Sequence, residues 1–119
     1  MTDDAITKIQ KQNDLFRKNF GNAEEMQQEV KGKYHITNGI AQLPIVDQFK
    51  ITMGIRNFDD FNENNDPYGE HDVGRFKENG HTIFWKIDYY DTDYLYGSED
   101  PSDPTKTRRV LTAMLPHEY

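Results

Sequence analysis

The sequence contains no cysteine. That absence excludes a disulfide framework, thiolate metal sites such as zinc ribbons, and a thiol nucleophile. Long apolar runs are missing as well: mean hydropathy is -0.96, and no stretch approaches the roughly 20 apolar residues that a membrane span requires. The chain opens Met1-Thr2-Asp3-Asp4, without a basic segment followed by an apolar one. No secretory signal is therefore expected, and the cytoplasm is the expected compartment. Neither a Gly-x-Gly-x-x-Gly string nor a phosphate loop occurs, so no cofactor is expected. What remains fits one small folded unit. The chain has 119 residues and a mass of 14.0 kDa, the size of a single domain covering 1–119. Its seven Tyr, seven Phe and one Trp supply large core pieces that disordered chains lack.

Positive charge is scarce in the second half. Residues 1–56 hold eight Lys/Arg against seven Asp/Glu, whereas residues 57–119 hold six against fourteen, which accounts for the net charge of -7. Two windows are free of bases. Asn57 to Gly74 holds Asp59, Asp60, Glu63, Asp66, Glu70 and Asp72; Asp88 to Asp103 holds Asp88, Asp91, Asp93, Glu99, Asp100 and Asp103. A field of this sign repels phosphate backbones, which argues against direct nucleic-acid binding and favours a basic partner surface or bound cations. The competing reading is a merely solvated acidic surface.

Hydrophobic periodicity predicts an α+β fold, one or two helices packed on a small, mainly antiparallel β-sheet. Thr2 or Asp3 caps a first helix whose stripe is Ile6, Ile9, Asn13, Phe16 and Phe20, with Gly21 as its stop. Residues 22–32 read as a polar connector. Tyr34 to Thr37 reads as a brief strand ending in an Asn38-Gly39 turn. Residues 44–58 fit a helix beginning at Pro44 but also alternate at Phe49, Ile51, Met53 and Ile55 as a strand does; a helix from about Leu43 to Met53 is preferred. Val73–Lys77 and His81–Tyr90 flank Asn79-Gly80 as an antiparallel hairpin, and Thr107–Leu115 closes the sheet. Trp85, Ile87 and Tyr89 are expected on the core face, with the first helix covering the sheet.

The best candidate site is the loop Asp66-Pro67-Tyr68-Gly69-Glu70-His71-Asp72, a histidine among carboxylates at the entry to the hairpin. Asp66, Glu70 and Asp72 are hard oxygen donors for a divalent ion, with His71 beside them, although the spacing matches no known metal motif. In the structural reading, Asp66 caps the turn before Pro67, and Glu70 and Asp72 bond backbone amides or pair with Arg75, Arg108 or Arg109. Lys86 and Asp88, on one face of the next strand, either join His71 as an acid/base set or neutralise each other. Glu70, His71 and Asp72 are expected near Lys86, Asp88 or Arg108/Arg109. Ser98-Glu99-Asp100-Pro101-Ser102-Asp103-Pro104 lacks the setting of a nucleophilic serine and reads as a rigid acidic loop with Arg108-Arg109 as counter-charge. His35, His81 and His117 show no ligand pattern and read as surface or edge residues.

Four strings, Asn65 to Gly74 (N-D-P-Y-G-E-H-D-V-G), Phe84 to Asp91 (F-W-K-I-D-Y-Y-D), Gly97 to Pro104 (G-S-E-D-P-S-D-P) and Arg109 to Tyr119 (R-V-L-T-A-M-L-P-H-E-Y), resemble the bacterial family catalogued as domain of unknown function 3768. The likeness is close over the second half and looser over Ile6 to Arg17, Thr37 to Pro44 and Phe58 to Phe61. Val73 and Ala113 stand where the family suggests larger apolar residues. The resemblance implies carriage on plasmids, phages and other mobile elements and supplies no established activity. By analogy of genomic setting, it points to antagonists of host defence, of the anti-CRISPR or anti-restriction type, that present carboxylates to basic nucleic-acid channels.

Two functions of different class follow. The first is a small acidic interaction protein that docks on the basic surface of a protein or nucleoprotein complex through Asp66, Tyr68, Asp91, Asp93, Tyr94, Tyr96, Glu99, Asp100 and Asp103. The alternative is a small metal-assisted hydrolase centred on Asp66, Glu70, His71 and Asp72, with Lys86 and Asp88 nearby.

Overall fold

The computed structural model describes residues 3–22 and 29–119. The Thr2 cap and most of the 22–32 connector fall outside the described residues. Helix α1 spans Asp3–Lys18, with Asp3 and Asp4 in its first turn and Arg17 and Lys18 in its last, each complementing the helix dipole. Ile9, Asn13, Phe16 and Phe20 of the expected stripe are buried, while Ile6 is half-buried. Gly21 follows with φ 77°, a left-handed turn that ends the element cheaply only at glycine.

Strand β1 (Gly32–Ile36), a short helix α2 (Asn38–Ala41) and helix α3 (Ile45–Arg56) come next. Pro44 immediately precedes α3, and the ambiguity over 44–58 resolves as helix. Ile51 and Ile55, one turn apart, are its buried apolar residues, whereas Phe49 of the rival strand pattern stays exposed. The turn expected at Asn38-Gly39 is instead the start of α2. A distant side chain explains the change: Glu118 accepts the Gly39 N–H at 2.8 Å and the Thr37 hydroxyl at 2.5 Å, so donors that a turn would leave open are satisfied from the far end of the chain. Those bonds, Thr37 first, also hold the Glu118 carboxyl below its ordinary range.

Strands β2 (Val73–Glu78), β3 (His81–Tyr90) and β4 (Arg108–Met114) complete a four-stranded sheet ordered β1-β4-β3-β2. Val73 faces Lys86 and Glu78 faces His81 in the hairpin. Asn79 and Gly80 take φ 50° and 84°, the positive pair that a two-residue hairpin turn requires. β3 and β4 are also antiparallel, whereas β1 joins β4 in parallel, with Gly32 opposite Arg109. The fold is therefore α+β with a mainly antiparallel sheet, as expected.

The core lies between the sheet and the helices. Trp85 is fully buried among Phe16, Ile51, Ile55, Phe58, Ile87 and Leu111, with the Phe58 and Phe61 rings edge-on to it at 5.5 and 6.2 Å. Gly74 on β2 sits directly against the indole, and a Cβ there would collide with its Nε1 edge. Burying Trp85 thus depends on a residue with no side chain on the neighbouring strand.

Candidate functional site

The loop between α3 and β2 folds back onto α1. Asp66 is buried, and both of its carboxylate oxygens accept the His71 backbone N–H, at 3.2 and 3.3 Å. This bond holds His71 at φ 57°, a left-handed conformation costly for a residue with a Cβ. Its imidazole then stacks flat on Phe61, with centroids 3.8 Å apart and planes 5° apart, and places Nδ1 2.8 Å from Asp14 Oδ1. Asp14 Oδ1 also accepts Arg17 Nη1 at 2.9 Å. Nε2 of the same imidazole lies 3.6 Å from Asp66. His71 is thus held between two carboxylates, one from its own loop and one from α1.

Glu70 turns toward a second network. Its Oε1 accepts the Tyr89 hydroxyl at 3.0 Å, and its backbone carbonyl accepts Asn13 Nδ2 at 2.9 Å. Asn13 also bonds the Tyr89 oxygen at 2.8 Å, and its Oδ1 receives Arg109 Nε at 2.7 Å. Arg109 is wholly buried; Nη2 donates to the Pro101 carbonyl at 3.0 Å and the guanidinium lies 5.1 Å over the Tyr89 ring. Burial pushes its pKa down to about 10, still a cation at neutral pH, and pushes the Tyr89 phenol up, keeping it a neutral donor.

Asp72 is half-buried. Burial first, then the charges of Glu70, Asp66 and Asp88, raise its pKa from 3.8 to about 6. Lys86 donates to Asp88 at 2.6 Å, a bond that raises the lysine pKa and leaves the two residues neutralising each other rather than joining His71. The expected cluster therefore divides: His71 joins Asp14 and Asp66, Glu70 shares a network with Tyr89, Asn13 and the expected Arg109, Lys86 pairs with Asp88, and Asp72 lies between these sets, where it feels the charges of Glu70, Asp66 and Asp88. Arg109, expected as counter-charge to the acidic loop, instead bonds α1 and a loop carbonyl. Full burial of its side chain puts it in reach of those groups. His81, expected at an edge, is partly buried and 3.4 Å from Asp47. Among the described residues, no three His, Asp or Glu side chains are grouped so as to hold a metal ion.

The segment between β3 and β4 behaves differently. Asp91 Oδ1 accepts the N–H groups of Asp93 and Leu95, Asp100 Oδ1 accepts the N–H and the hydroxyl of Ser102, and Asp103 Oδ1 accepts the N–H and the hydroxyl of Thr105. The Thr105 bonds lower the Asp103 pKa. Such side-chain turns fix the backbone without regular structure. Tyr94 takes φ 60° beneath the Lys33 ammonium, 4.1 Å from its ring. Leu95 and Tyr96 are 71% and 75% exposed, and Asp93, Glu99 and Asp100 face water beside them; Glu99 lies 3.5 Å from Lys106. Tyr68, on the other acidic loop, is also exposed.

A family described as a protein of unknown function, DUF3768, has a sequence model that matches residues 36–118. The chain belongs to that family. No curated protein and no solved structure matches it. The matched span of this DUF3768 chain includes both loops and the whole β2–β4 meander, but not α1. Asn13, Asp14 and Arg17, the α1 partners of the loop, therefore lie outside it. Sequence reading placed Asn13 on the helix stripe without giving it a role. A polar residue on an otherwise apolar stripe was the available signal. For Asp14 and Arg17 the signal was their i, i+3 spacing.

Proposed function

We propose that the protein is a small acidic interaction protein that docks the β3–β4 loop on the Lys/Arg-rich surface of a nucleic-acid-handling complex and thereby antagonises it. The observation that carries this reading is a loop braced by side-chain turns that presents Leu95 and Tyr96 amid exposed Asp93, Glu99 and Asp100. Exposed apolar and aromatic groups set among a surplus of carboxylates have the composition of a docking site: the apolar groups supply contact area, and the carboxylates steer and select a basic partner. The side-chain turns reduce the ordering cost of binding, since the loop is already fixed. Asp66 turns inward to His71 and is not part of the proposed surface. The genomic setting implied by the family makes a host defence complex the preferred partner class.

The test is affinity capture from host lysate at graded salt, with the bound proteins identified. A nucleic-acid-handling protein retained at low salt, released as salt rises, and lost with Tyr96→Ala or with the pair Asp93→Lys and Glu99→Lys supports the reading. Capture unaffected by those substitutions defeats it. The hydrolase alternative makes a different demand: a rise in melting temperature with millimolar magnesium or manganese that disappears in Glu70→Ala.

A further inference from the structure

We propose that the cleft where α1 and α3 end is a binding site for a small oxyanion, a phosphate or carboxylate group. The cleft encloses about 500 Å³. Arg17, Lys18, Arg56 and His71 line it, with Asp14 and Asp59 as its carboxylates. Among the described residues, three permanent cations thus face two carboxylates in a chain whose net charge is -7.

Helix dipoles account for part of this gathering, because cations favour the last turns of helices and Arg17, Lys18 and Arg56 all lie there. They do not account for the state of Arg17. Its side chain is 3% exposed, and Nη1 is the only one of its nitrogens with a hydrogen-bond acceptor among the described residues; Nε is sealed from solvent, which leaves Nη2 as the donor able to meet a ligand in the cleft. A desolvated guanidinium with unmatched donors favours an added acceptor. Asp14 supplies only part of that need, because the oxygen it offers Arg17 is the one it also offers His71.

The site is also fixed in advance. Arg17 lies 5.2 Å over the Phe61 ring and 5.6 Å over Trp85, Arg56 Nε is anchored to the Phe20 carbonyl at 2.8 Å, and His71 is clamped between Phe61 and Asp14. A ligand would therefore find its donors already ordered. The flat Phe61–His71 stack forms an apolar wall beside the cations, suited to an oxyanion carried on a small organic body.

The test is titration of the whole protein with inorganic phosphate, acetate and chloride at matched ionic strength, following arginine Nε–H and backbone amide resonances by NMR. Saturable shifts at Arg17, Arg56 and His71 with phosphate or acetate, absent with chloride, are expected. Tighter saturation by phosphate assigns a phosphate-type ligand, and tighter saturation by acetate a carboxylate. Lys18→Glu, an exposed position, should weaken binding about tenfold, whereas Lys50→Glu elsewhere on α3 leaves it unchanged. Arg17→Lys, which keeps the charge and loses the planar fork, should weaken it by a similar factor. Shifts that track chloride equally, or that persist undiminished in Lys18→Glu, overturn the proposal.

Discussion

Residues 57–74 and 88–103 each carry six carboxylates and no Lys or Arg, yet the fold treats them differently. In the first window Asp66, Glu70 and Asp72 turn inward, where one holds a strained histidine, one accepts a half-buried tyrosine hydroxyl, and one retains its proton to about pH 6. In the second window Asp91, Asp100 and Asp103 cap turns, and their neighbours point to water. The difference lies in what each loop meets. The first sets its carboxylates and histidine against α1, whose Asn13, Asp14 and Arg17 offer donors and a counter-charge. The second meets α1 and β4 through carbonyls, Ser102 taking Gln12 Nε2 and Pro101 taking Arg109, so its carboxylates have mainly the loop's own amides and hydroxyls to bond. Like composition therefore serves stability in one place and display in the other.

The largest effect should come from removing the anchor behind the first window. Arg109→Leu strands Asn13 Oδ1 and the Pro101 carbonyl in a buried site and should cost about 3 kcal/mol in urea unfolding. A cost under 1 kcal/mol would show that the inward network carries little of the difference between the windows.

Asp72→Asn tests the first window from the opposite direction. The native carboxyl keeps its proton up to about pH 6, whereas the unfolded one releases it near 3.8, so the native state binds more protons in between. Stability therefore falls as pH rises through that interval, and the substitution should remove the fall. The gain at pH 7 should be about 1 kcal/mol, discounted because water reaches part of the carboxyl and screens the repulsion. Melting curves at pH 4, 5, 6 and 7 would check it.

Asp91→Ala should have a smaller and local effect. It removes the acceptor for the Asp93 and Leu95 amides, and hydrogen exchange at those two amides should accelerate with a global loss under about 1 kcal/mol. The smallest change is expected for the pair Asp93→Lys and Glu99→Lys, which should leave unfolding free energy within about 0.5 kcal/mol of the parent. A large destabilisation there would mean that the second window is also structural.

Much of the fold was legible because its signals are local. Asn79-Gly80 specifies its turn, the stripe from Ile9 to Phe20 specifies a helix, and alternation from Ile83 to Ile87 specifies a strand buried on one face. The Asn38-Gly39 turn was misread because Glu118, from the far end of the chain, supplies the bonds that make α2. The parallel placement of β1 was equally hidden, since no local pattern distinguishes it from an antiparallel edge. The candidate loop was visible as a string, but what its histidine meets was not. Asp14 and Arg17 are brought to it only by packing α1 across the loop.

Arg109 ties four separate stretches together: its backbone pairs with the β1 segment at Lys31 and Gly32, and its side chain reaches α1, β3 and the Pro101 turn. In terms of assembly, the first third of the chain has no sheet to join until the last strand has formed. A nascent chain can close the β2–β3 hairpin early, because its ends are adjacent, but α1 and β1 must wait for a partner made much later. Until then Phe16, Phe20 and the Trp85 face lack their cover. The elements made first are thus among the last to dock, and until they do their apolar faces are open to the contacts that favour aggregation and proteolysis.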